Sequence, residues 1–82
     1  MIIGKVIGSV VSTRKNETLV GSKFMIVEPT EGNKDKLIAV DSIGAGIGEY
    51  VLVALGSAAR VGNENAPIDA AIVGIIDNGA KL

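Results

Sequence analysis

The 82-residue chain contains no cysteine, no histidine and no tryptophan. Without cysteine, neither a disulfide framework nor a thiolate metal site can form, which suits a reducing cytoplasm. Without histidine, the commonest general base and the commonest metal ligand are missing together. Phenylalanine and tyrosine occur once each, so aromatics make up 2% of a chain that is 48% hydrophobic. The core must therefore be built from Val, Ile, Leu and Ala. Eight basic and nine acidic residues leave a net charge of −1. No long block of one sign stands out, so there is no electrostatic footprint for nucleic acid or membrane. No apolar run approaches the length of a membrane span. The opening "MIIGKVIGSVVS" is broken by Gly4, Lys5, Gly8 and Ser9 and is not expected to act as a secretory signal. The expectation is a soluble, cytoplasmic chain forming one small domain over residues 1–82.

What remains reads as five strands. The first covers Ile2 to Ser12, with Gly4 and Gly8 placed where a strand bends sharply or admits a close neighbour. "TRKNET" follows as a polar turn. The second strand runs from Ser22 to Val27, closed by Glu28-Pro29, and "TEGNKDK" makes a charged, solvated loop. The third is Leu37 to Asp41 and the fourth Glu49 to Leu55. In "GSAARVG", Ser57 is placed to N-cap one short helical turn that Gly62 ends. After the loop "NENAP" comes the fifth strand, Ala70 to Ile76, closed by Asp77-Asn78-Gly79. Short strands, regular turns and almost no helix imply an all-β fold, a small five-stranded OB-like β-barrel with one short helical turn.

A barrel strand with one wet face should alternate apolar and polar residues. These strands do not. Strand four sets Val51, Val53 and Leu55 against Tyr50, Leu52 and Ala54; strand five sets Ala71, Val73 and Ile75 against Ala70, Ile72 and Ile76. Strand one opposes Ile2, Val6 and Val10 to Ile3, Ile7 and Val11. One face of each can fill the barrel, and no helical layer is available for the other. Left bare, it would invite aggregation, so another chain is expected to cover it. A standard interface hides about 800 Å² per partner, a little over half of it apolar, and that apolar part is worth on the order of 10 kcal/mol gross at ~25 cal/mol per Å². That equals the whole stability of a small domain, so the chain reads as an obligate homo-oligomer.

The stretch "SIGAGIGEYVLVAL" raises the question of phosphate binding. The dinucleotide fingerprint is G-x-G-x-x-G opening a helix. Gly44, Gly46 and Gly48 give G-x-G-x-G instead, Glu49 would repel a phosphate, and a strand follows. No Walker pattern is present either. Ser57 lacks a histidine to activate it as a nucleophile, and Asp41 and Asp69 are expected to serve turn or loop hydrogen bonds rather than to form a catalytic pair. No catalytic, metal or cofactor residue emerges, and the chain does not read as an enzyme. The alternative is a nucleic-acid-binding OB module; it would need a cationic groove and stacking aromatics, and Phe24 and Tyr50 are the only aromatics.

Taken in order, "MIIGKVIGSVVST", "VDSIGAGIGEYVLVALGSAAR" and "PIDAAIVGIID" closely resemble the bacterial microcompartment vertex family, the EutN/CcmL group of small shell proteins. The resemblance implies an OB-like barrel without catalytic residues or cofactor, assembling into pentamers, with hexamers seen in crystals of one branch. Such rings cap the five-fold vertices of shells whose facets come from other, hexameric shell proteins. It places the chain in a microcompartment shell in the cytoplasm, with itself and hexameric tiles as partners and no nucleic acid or membrane.

A ring made from one repeated contact needs two different patches on each subunit. Main chains that crowd near its axis favour glycine, which also supplies positive φ. On that reading Gly44, Ala45, Gly46, Ile47, Gly48 and Glu49 form an axial or interface loop, adjoined by Ser57 and Arg60. Glu49 is read either as a solvated carboxylate, as a charge repeated around the axis, or as the partner of Arg60.

Overall fold

Strand β1 (Ile2–Val10) pairs on one edge with β2 (Lys23–Pro29) and on the other with β4 (Tyr50–Leu55). With β3 (Leu37–Asp41) and β5 (Ala70–Ile75) the sheet closes into a barrel in the order β1-β2-β3-β5-β4. Every pairing is antiparallel except β3 with β5. The computed structural model describes residues 1–13, 15–62 and 64–77. Arg14 of the polar turn, Asn63 of the loop before β5 and the Asn78-Gly79 turn lie outside the described residues.

The core is aliphatic, as the composition requires. Val6, Met25, Val27, Ala39, Val51, Val53, Ala70 and Ile72 fill the barrel, and Ile2, Leu37 and Ile75 pack against them. Closure of so narrow a barrel demands room where strands approach, and Gly4 supplies it. A Cβ there would run into Val27 Cγ1 and lie 3.1 Å from the Glu28 carbonyl oxygen.

Strict alternation fails at two bulges. Between Val6 and Gly8 the β1–β2 register shifts, leaving Ile7 unpaired. Beyond it, Val10 stands opposite Phe24, and directly opposed residues share a face. Val10 therefore points outward, not inward with Ile2 and Val6 as alternation implied. On β5 the register skips Val73, so Ile75 reaches the same interior as Ile72. A bulge inserts one residue and reverses the parity that follows. On β4 the register runs unbroken from Val53 to Leu55: Leu55, opposite Ala70 at the strand end, is exposed, while Ala54, opposite Ala71 of the satellite-covered face, is buried.

The strand ends differ from expectation by one or two residues: β1 stops at Val10, β2 continues to Pro29, β4 begins at Tyr50 and β5 stops at Ile75. The polar turn contains a 3₁₀ turn, Glu17–Leu19, for which the Asn16 side chain accepts the Thr18 amide at 3.0 Å. The second 3₁₀ turn, Gly56–Arg60, and the loop after it cover part of the outer face. Ala59, Ala66 and Ile68 form a small satellite core with Leu19, Val40 and Ala71. Some of the apolar exterior is thus covered by the chain itself. Ile7, Ile38 and Val73 remain exposed.

Candidate functional site

The loop joining β3 to β4 is built around a buried carboxylate. Asp41 ends β3 on its inward face and is 6% exposed. Such a group is tolerated inside only if its lone pairs are satisfied. Its Oδ1 accepts the amides of Ile43 at 2.9 Å and Gly44 at 3.1 Å, and its Oδ2 accepts that of Ala45 at 2.8 Å. Lys23, its register partner on β2, brings an ammonium to 3.7 Å of Oδ2. Asp41 therefore performs the loop hydrogen bonding expected of it; the Lys23 contact follows from strand register, for which residue types offered no cue.

The rest of the loop closes on itself and on β1. Glu49 Oε1 accepts the Gly46 amide at 2.6 Å. The Gly48 amide donates to the Val6 carbonyl at 2.7 Å, and the Val6 amide to the Glu49 carbonyl at 2.9 Å. Amides that would face a phosphate in a nucleotide-binding loop are already occupied by the chain's own acceptors, and a strand follows.

The three glycines serve two different purposes. Gly44 and Gly48 adopt φ of +101° and +95°, a region that residues with a Cβ enter at a cost. Gly46 does not; a Cβ there would sit 3.3 Å from Glu49 Oε1, so its bare α-carbon leaves space for the carboxylate that holds it. Ala45 turns inward, joins the main core and plugs this end of the barrel. Ile43 and Ile47 are left on the outside, Ile47 at 67% exposure.

Ser57 and Arg60 lie elsewhere. At ~3.3 Å per residue, β4 sets the 3₁₀ turn about 20 Å from Glu49. Pairing of Glu49 with Arg60 inside one chain is therefore ruled out, and the Glu49 side chain is engaged by the Gly46 amide instead. Ser57 is not the cap. The turn begins one residue earlier, at Gly56 with φ +65°, and its N-cap position falls on Leu55 with no side-chain cap bond. Gly62, at φ +84°, follows the turn as expected.

The two aromatics do not make a stacking platform. Phe24 shares an outer row with Val10 and Val40, whereas Tyr50 stands opposite Lys5, whose ammonium is 5.8 Å from the ring centroid. Among the described residues, no three His, Cys, Asp or Glu side chains gather as metal ligands, and no helix is long and apolar enough to cross a membrane.

Residues 1–77 match the family described as "Ethanolamine utilisation protein EutN/carboxysome". The bacterial microcompartment shell vertex protein GrpN of Rhodospirillum rubrum is 48% identical over 83 residues, spanning 94% of this chain and 93% of that protein. The carboxysome shell vertex protein CcmL of Nostoc is 49% identical over 84 residues, spanning 94% and 83% respectively. Among solved structures, the GrpN pentameric microcompartment shell protein from Rhodospirillum rubrum superposes with a TM-score of 0.86 at 46% identity, covering 95% of each chain. The fold, the order of its elements and these likenesses agree: the chain belongs to the EutN/CcmL family.

Proposed function

We propose that this chain is a structural shell protein, a pentamer that caps the five-fold vertices of a bacterial microcompartment. The observation that carries the reading is the likeness, 48% and 49% identical over 94% of the chain, to shell vertex proteins, one of them a pentamer of the same fold. The physics points the same way. A ring of one subunit needs two different sticky patches, and this barrel keeps aliphatic side chains on its outer face. The loop amides are satisfied internally, which fits a rigid building element rather than a catalyst.

The mechanism is geometric. Six-fold tiles alone make flat sheets, and five-fold tiles introduce the curvature that closes a shell. The partners are copies of this chain and hexameric shell proteins, and the place of work is a microcompartment shell in the cytoplasm. Within the ring, the rigid segment Gly44, Gly46, Ile47, Gly48 and Glu49, plugged by Ala45, presents its outer edge to the axis or to a neighbour. Ser57 and Arg60, at the far end of β4, make a separate contact surface.

Assembly of hexameric tiles with and without this chain, followed by electron microscopy, tests the reading. Closed polyhedra are expected only when the chain is present. Shells that close equally well without it would overturn the proposal.

A further inference from the structure

The Asp41 side chain is held as a bound anion is held. Three successive amides converge on it: those of Ile43 and Gly44 reach Oδ1 at 2.9 and 3.1 Å, and that of Ala45 reaches Oδ2 at 2.8 Å. The Lys23 ammonium adds a positive charge 3.7 Å from Oδ2, and the Asp41 side chain is wholly shielded from solvent. Successive amides turned to one side make a concavity suited to an anion, and hydrogen bonds to an ionised acceptor are the strong ones. Positive φ at Gly44 lets the middle amide turn with its neighbours.

The amides do not depend on Asp41 alone for their position. Ala45 is packed into the barrel core, the Gly46 amide is held by Glu49 Oε1, and the Gly48 amide and the Glu49 carbonyl are both bonded to Val6. The donor set is thus framed on its C-terminal side by contacts that survive loss of the carboxylate. We propose that Ile43–Ala45, with Lys23, is a carboxylate-binding site whose resident ligand is the chain's own Asp41, and that the site emptied by Asp41→Gly takes free formate in its place. Formate is the class member that fits: it presents the same two oxygens and one negative charge, and glycine leaves only the space of the lost side chain. The wild-type site is closed to added carboxylate, because a tethered ligand outcompetes a free one through its effective concentration.

Formate titration of Asp41→Gly tests this, with thermal melts at one fixed protein concentration and chloride replaced by formate at constant ionic strength. The variant's midpoint should rise by about 5–10 °C once formate is about tenfold above its dissociation constant, whereas the wild-type midpoint should stay where it is. In the same titration the amide resonances of Ile43, Gly44 and Ala45 should move towards their wild-type positions and saturate. No rise, an equal rise in both proteins, or a rise without saturating shifts at those three amides would overturn the proposal. If Asp41→Gly is unfolded by far-ultraviolet circular dichroism, formate should fold it; a chain that stays unfolded throughout the titration would overturn the proposal as well.

Discussion

The Asp41 carboxylate and the Ala45 amide meet at 2.8 Å across four residues, and that contact ties the glycine-rich loop to the barrel core. Ala45 can plug the barrel only if its amide, turned inward with it, finds an acceptor. Asp41 provides one and holds two further amides with its other oxygen. Loop and core are thus one packed unit.

Asp41→Asn replaces one acceptor oxygen with a donor that must face an amide donor or turn away. Leaving buried amides unmatched costs about 1–3 kcal/mol. The melting temperature is expected to fall by about 10 °C, since 1 kcal/mol corresponds to roughly 4–8 °C in a domain of this size. Thermal melts at one fixed protein concentration check this, because assembly itself shifts the midpoint.

The loop glycines separate by mechanism. Gly44→Ala and Gly48→Ala must adopt positive φ, at about 1–2 kcal/mol each. Gly46→Ala has no such strain and acts through crowding of Glu49 Oε1. Its effect should shrink when Glu49 is also truncated to Ala, whereas the effect of Gly48→Ala should not. Denaturant titration of the double-mutant cycles measures the difference.

Glu49→Gln retains an oxygen to accept the Gly46 amide. On an exposed residue the change is expected to stay within about 0.5 kcal/mol in denaturant titration. A larger loss would show that the negative charge itself is needed to hold the loop.

In β1, Gly4→Ala drives a methyl into Val27 Cγ1 and towards the Glu28 carbonyl. Overpacking of this kind costs about 1–3 kcal/mol. Val27→Ala is destabilising alone, yet it should recover part of the loss in the Gly4→Ala background. Simple addition of the two losses in denaturant titration would contradict the close contact.

Much of this was legible in the residues. The run Leu37–Asp41 is a strand over its full expected length, because β-branched and aliphatic residues are bounded there by a charged loop and by glycines. Gly4 was readable as a site of close approach. The bulges were not readable, since a bulge changes backbone register without needing a particular side chain, so Val10 and Ile75 were assigned to the wrong faces. Ser57 misled for a related reason: Gly56 entered positive φ and started the turn early. Within one chain, residue types suggest a pair of Glu49 with Arg60 that the length of β4 between them forbids.

The native mass of the purified wild-type chain tests the central claim most directly. A ring of five subunits, persisting at micromolar concentration, is the predicted result. A single folded chain, its circular dichroism showing an intact barrel and its outer Ile38, Leu52 and Phe24 simply wetted, would contradict the account.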